Sequence, residues 1–146
     1  MLDALGVNEV LVESPELANR VRERHPQGID TVLDIVGNTP VLDSLAMLKR
    51  GGHACVVGFL GCGGPLSLEP VFQIPSARHL TVFASAIVTG TPEFPLSEIP
   101  FQAIVDRAAA GRYQAKPAKV FRFEDIQDAH RLMESNAAGG KIVIRS

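Results

Sequence analysis

Short β-branched runs alternate with helical patterns from Glu9 to Ile87, and that alternation is how a parallel sheet joined by crossover helices is written in a sequence. Thr31 to Val36 is apolar or β-branched at every position except Asp34, as expected of a strand covered on both faces. Gly37 and Asn38 end it. Thr39 and Pro40 then open a helix whose Val41, Leu42, Leu45 and Leu48 share one face. Lys49 and Arg50 favour the negative end of its dipole, and Gly51-Gly52 supply a stop. His53 to Phe59 is the next strand and Leu80 to Val88 another. The stretch Leu60 to Arg78 between them, rich in Gly and Pro, is a functional or packing loop.

The flanks continue the pattern. Glu9 to Val12 is a short strand, and Ser14 with Pro15 opens a helix over residues 15–24 whose Leu17, Ala18 and Val21 form the apolar stripe. Ser97 caps a third helix with Ile99, Ala103, Ile104 and Ala108 inward and Gly111 at its end. Lys119 to Phe123 is a strand. Glu124 and Asp125 place negative charge at the start of a helix carrying Ile126, Ala129 and Met133, and Lys141 to Ile144 is the last strand.

With 146 residues, 46% of them hydrophobic, the chain has the size of one domain. A formal charge of −2 gives no basic field for nucleic acid. No apolar stretch reaches the roughly 18 residues that span a bilayer, and the N-terminus has no signal-like pattern, so a cytoplasmic protein is expected. Cys55 and Cys62 are too few for a disulfide framework and lack zinc-ligand spacing, so no metal site is expected. His25, His53, His79, His130 and the single tyrosine, Tyr113, show no spacing or partner for ligation or acid–base work, and no catalytic residue is assigned.

Three segments, TVLDIVGN (Thr31 to Asn38), LKRGGHACVVGFLG (Leu48 to Gly61) and VFRFEDIQDAHRLMESNAAGGKIVI (Val120 to Ile144), together with LDALGVNEVLV (Leu2 to Val12), resemble in order and separation the later half of medium-chain dehydrogenases/reductases. The likeness is greatest to the quinone oxidoreductase and enoyl reductase branch and spans nearly the whole chain. It implies an α/β fold: a truncated Rossmann-like parallel sheet with crossover helices, lacking the first two strands. Residues 1–115 would be a partial nicotinamide-dinucleotide-binding domain. Residues 116–146 would be a strand-helix-strand that in the family returns to the substrate domain.

The resemblance also implies a cofactor, NADP or NAD. Ligands of such sheets lie beyond the carboxyl ends of the strands. The turns Val36-Gly37-Asn38 and Gly58-Phe59-Leu60 would border the ribose and nicotinamide, with Asn136 and Lys141 approaching later in the chain; each is also explicable as a turn, core or strand-edge residue. The glycine-rich turn that seats a pyrophosphate on a helix N-terminus does not occur, for Gly61-Cys62-Gly63 leads into Gly64-Pro65 and no helical pattern. The strand that chooses between NAD and NADP, and the family's substrate domain with its zinc ligands, are likewise not found.

The expected architecture is a sheet of about four parallel strands, with Glu9–Val12 pairing beside Thr31–Val36 or with another molecule, associating as a homodimer through the 80–88 strand edge. The expected function is that of a fragment of an NADP(H)-dependent oxidoreductase, reducing quinones or activated carbonyl or alkene substrates by hydride transfer and inactive in isolation. One alternative is a non-catalytic α/β dimerisation module. A methyltransferase-like domain shares the GG-x-x-x-x-x-G strand, but it also needs a glycine-rich first turn and has no counterpart of the AHRLMES tail.

Overall fold

The computed structural model describes residues 6–61, 64–113 and 116–146. It divides into two compact units, Glu9–Glu98 and Ile99–Ser146, the latter grouped with residues 6–8.

In the first unit the elements are α1 (Leu17–Arg24), β1 (Ile29–Asp34), α2 (Val41–Met47), β2 (Leu48–Val56), α3 (Pro70–Gln73), β3 (His79–Val82) and α4 (Ser85–Val88), followed by a 3-10 turn at Leu96–Glu98. β1, β2 and β3 form a three-stranded sheet in that order, parallel throughout. Alternation along the strands sets its two faces. Val32, Ala54 and Leu80 are in register and belong to the core, where Val41, Leu45 and Leu48 are buried against them. Leu45 and Leu48 are wholly buried, each contributing about 1.5–3 kcal/mol. The neighbouring register carries Thr31, His53 and His79 on the other face, where the two imidazoles stack with ring centroids 4.2 Å apart.

Among the described residues that second face is the more exposed of the two along β1. Leu33, which points to it, is 64% exposed, so the continuous apolar run of β1 is covered on one side only. The sheet also has three strands where about four were expected. Glu9–Val12 does not join it and is held instead by side chains of α1, through an Arg24–Glu9 ion pair and an Arg20 guanidinium that donates to the Val12 carbonyl at 3.2 Å.

Two further boundaries differ from the sequence reading. α2 passes into β2 without a loop, so Leu48 ends the helical face and begins the strand. Ile29 pairs with Leu48 and Thr31 with His53, which makes Lys49–Gly52 a bulge within the strand; Gly51-Gly52 serve that bulge and not a helix stop. β3 stops at Val82 although the apolar run continues to Val88, because its partner runs out: Phe83 donates to the Val56 carbonyl at 2.9 Å, and the chain then turns into α4.

The second unit contains α5 (Phe101–Ala109), β4 (Lys119–Arg122), a 3-10 turn at Phe123–Asp125, α6 (Ile126–Glu134) and β5 (Ile142–Arg145). β4 and β5 pair in parallel, and α6 buries Ala129. Ser97 lies in the 3-10 turn before α5 and does not cap it, and the expected inward stripe of α5 is open, with Ile104 42% exposed. Among the described residues no helix is long and apolar enough to cross a membrane.

Candidate functional site

Asp34 closes β1 with a buried carboxylate, which is costly to bury unless its oxygens are hydrogen-bonded. One oxygen accepts from the Val36 N–H at 3.0 Å and the Gly37 N–H at 2.9 Å; the other accepts from the Ser44 hydroxyl at 3.1 Å. The chain is thereby folded back on itself immediately after the strand. Gly37 and Asn38 then take left-handed conformations, at φ +71° and +54°, a backbone favourable to Gly and tolerated by Asn.

The turn after β2 is stitched to this one. The Val36 carbonyl accepts from the N–H groups of Leu60 and Gly61, both at 2.8 Å, and the Asn38 amide donates to the carbonyls of Gly61 at 3.4 Å and Gly64 at 3.2 Å. A β-carbon at Gly37 would lie 2.6 Å from the Gly58 carbonyl oxygen. The two turns therefore meet with no room for a side chain between them.

A third wall comes from the segment after β3. Phe83, set edge-on against Phe94 with centroids 5.7 Å apart, and Ile87 face the first two turns. Together the three strand ends enclose an open cleft of about 570 Å³ whose base includes Val41, Val56 and Leu80. Phe59 and Ile87 stand on its rim, each 78% exposed. The lining is mostly apolar, with the polar groups of Asn38 and Ser85 among it. Such a cavity suits a flat, largely apolar ring better than a highly charged group.

Of the residues expected at the site, Gly37, Asn38, Gly58 and Phe59 are brought together in the cleft lining. Val36 and Leu60 stand behind it as a backbone pair joined by the Leu60 N–H to Val36 carbonyl bond, and the Leu60 side chain is 70% exposed. Asn136 and Lys141 belong to the second unit. Asn136 follows α6 at φ +55°, and Lys141 uses its carbonyl to accept the Ala118 N–H at 2.8 Å beside the β4–β5 pair. That unit has a smaller apolar groove of its own, about 140 Å³, lined by α6 and β5 residues including His130 and Met133.

Sequence reasoning missed Asp34, Ser44 and the wall from Phe83 to Ile87. The first two left a signal: an acidic residue inside an apolar strand, three residues before a glycine, and a serine on the apolar face of the next helix. The third left none, since nothing between Leu80 and Val88 marks a turn.

A parallel α/β sheet with its cleft at the strand carboxyl ends is the arrangement of a nucleotide-binding fold. The family model described as zinc-binding dehydrogenase matches residues 5–144, and the chain belongs to that family. It is 26% identical over 120 residues to quinone oxidoreductase-like protein 2 of Bos taurus, an alignment covering 80% of this chain and 33% of that protein. Among solved structures it resembles the CurK enoyl reductase, with a TM-score of 0.73 and 23% identity, covering 98% of this chain and 42% of that one. It also resembles a mycobacterial protein solved in complex with NADPH, with a TM-score of 0.73 and 24% identity, covering 99% of this chain and 44% of the other. The chain thus spans about a third of the length of the curated relative and about two fifths of these two structures.

Among the described residues no three His, Cys, Asp or Glu side chains come together to hold a metal ion, so the zinc of the family description finds no donor set there. A nicotinamide ring fits the cleft better, because the walls are apolar with the polar groups of Asn38 and Ser85 among them.

Proposed function

We propose that this chain supplies the nicotinamide-facing half of the cofactor domain of an NAD(P)-dependent oxidoreductase. The observation that carries this reading is the cleft at the carboxyl ends of β1, β2 and β3, walled by Gly37-Asn38, Gly58-Phe59 and Phe83 to Ile87. A bound nicotinamide supplies the hydride; the chain's own residues hold the ring by apolar contact, exclude water from its faces and keep the backbone close at Gly37 and Gly58. Val36 and Leu60 support those turns.

Among the described residues no glycine-rich turn leads into a helix that could grip a pyrophosphate, and on this reading the chain alone binds weakly, at about millimolar, and catalyses nothing. Catalysis then rests on a longer protein containing the substrate-facing groups. The relatives' names favour quinones or activated alkenes as substrates and NADPH as the reductant. The edge of β3, an end strand of the three-stranded sheet, is assigned to homodimer contact.

Saturation-transfer difference NMR with NADPH and, separately, NADH tests the reading. Magnetisation should reach the nicotinamide protons more strongly than the adenine protons with either ligand. Stronger transfer to adenine, or none to either ring, would overturn it.

A further inference from the structure

The carboxylate of Asp34 is buried at the bottom of the first turn and has three donors on it, the N–H groups of Val36 and Gly37 and the hydroxyl of Ser44. Each donor belongs to a different part of the site's support. Val36 presents the carbonyl that receives Leu60 and Gly61, Gly37 lines the cleft, and Ser44 is buried on α2, one turn from Val41 in the cleft base. One side chain therefore ties strand end, turn and helix together. A turn of Gly and Asn would otherwise sample many backbone conformations, since glycine has the widest range of any residue.

We infer that Asp34, assisted by Ser44, is a positioning residue that presets the Val36–Asn38 turn in the conformation a ligand of the cleft requires. The inference rests on the cofactor reading for the identity of that ligand, and on the three hydrogen bonds alone for the positioning. Its physical basis is preorganisation: a turn already held in shape costs no ordering when the ligand arrives. Asp34 itself lies behind the turn, while Gly37 and Asn38 form the lining.

The chemistry distinguishes two substitutions. In Asp34→Asn the remaining carbonyl oxygen still accepts both backbone N–H groups, and the new amide donates to Ser44, whose oxygen accepts as readily as its hydroxyl donates. In Asp34→Ala all three donors lose their acceptor. Ser44→Ala removes one bond and leaves the turn's two in place.

The test has two arms on the 146-residue chain. Amide hydrogen exchange read by NMR should show the Val36 and Gly37 N–H groups protected in the native chain and in Asp34→Asn. In Asp34→Ala they should exchange at least about tenfold faster, beyond any change at core amides such as that of Ala54. Ser44→Ala should fall between. Titration with reduced nicotinamide mononucleotide should then give affinity within about twofold of native for Asp34→Asn and about tenfold weaker for Asp34→Ala. Equal protection of Gly37 in the native chain and Asp34→Ala overturns the inference, as does loss of protection in Asp34→Asn as large as in Asp34→Ala. If the protection pattern holds but the mononucleotide perturbs no residue of the cleft, the positioning stands and the cofactor reading falls. Should Asp34→Ala not fold, the Asn and Ser44→Ala pair decides, because the inference requires their order.

Discussion

A β-carbon on Gly58 would fall 1.6 Å from the carbonyl oxygen of Ile35, closer than any two non-bonded atoms can approach. The turns after β1 and β2 consequently touch backbone to backbone, a contact that only a residue without a side chain allows at position 58. Gly58→Ala should therefore force the two turns apart and cost about 3 kcal/mol, the upper range for overpacking. Gly64→Ala, where an added β-carbon meets nothing within 4 Å, should stay within about 0.5 kcal/mol. Urea denaturation of both variants checks the contrast.

Core and rim of the first unit should separate just as clearly. Leu45, wholly buried between α2 and the sheet, should cost about 2–5 kcal/mol when cut to Ala. Phe59, 78% exposed on the rim, should cost no more than about 0.5 kcal/mol on the same substitution while weakening ligand binding. Thermal unfolding and ligand titration of the pair measure both quantities.

Asp30, at the opposite end of β1 from the cleft, is held below its ordinary carboxylate value by a hydrogen bond from Lys49 and by that residue's charge. The sign follows directly. A depressed folded-state value favours the native state above the ordinary carboxylate range, and that contribution is lost as the pH falls through the folded value. Both side chains are exposed, so the effect on stability is small. In a carbon-detected titration the Asp30 carboxyl should move up towards its ordinary value in Lys49→Ala; no movement would remove Lys49 as the cause.

Association through β3 predicts twice the chain mass of 15.6 kDa in light scattering at high concentration. Thr81→Lys places a charge on that edge strand and should shift the population towards single chains. A native chain that stays single at every concentration would remove the dimer from the proposal.

The parallel order of β1 and β2 and the turns at Gly37 and Gly58 were legible in the sequence because β-branched runs ending in glycine have one common use in such sheets. Asp34 was visible only as an interruption, since its role depends on Ser44, ten residues away, and spacing along the chain does not reveal which side chains converge. Gly51-Gly52 looked like a helix stop because the same residues serve stops and bulges. The extent of β3 was illegible for a different reason: Leu80 to Val88 has strand-like composition throughout, and the strand ends where its neighbour does. Glu9–Val12 has the composition of a strand, but among the described residues no strand pairs with it; α1 side chains hold it instead.

The claim on which the functional reading rests is that the cleft at the carboxyl ends of β1, β2 and β3 receives the nicotinamide end of a dinucleotide. Two-dimensional amide NMR of the chain titrated with NADPH to millimolar concentration addresses it directly. Shifts that rise with ligand concentration at Gly37, Asn38, Gly58 and Phe59, reproduced by reduced nicotinamide mononucleotide, are the predicted result. Shifts confined to residues outside the three strand-end turns, or none at these four, would contradict it.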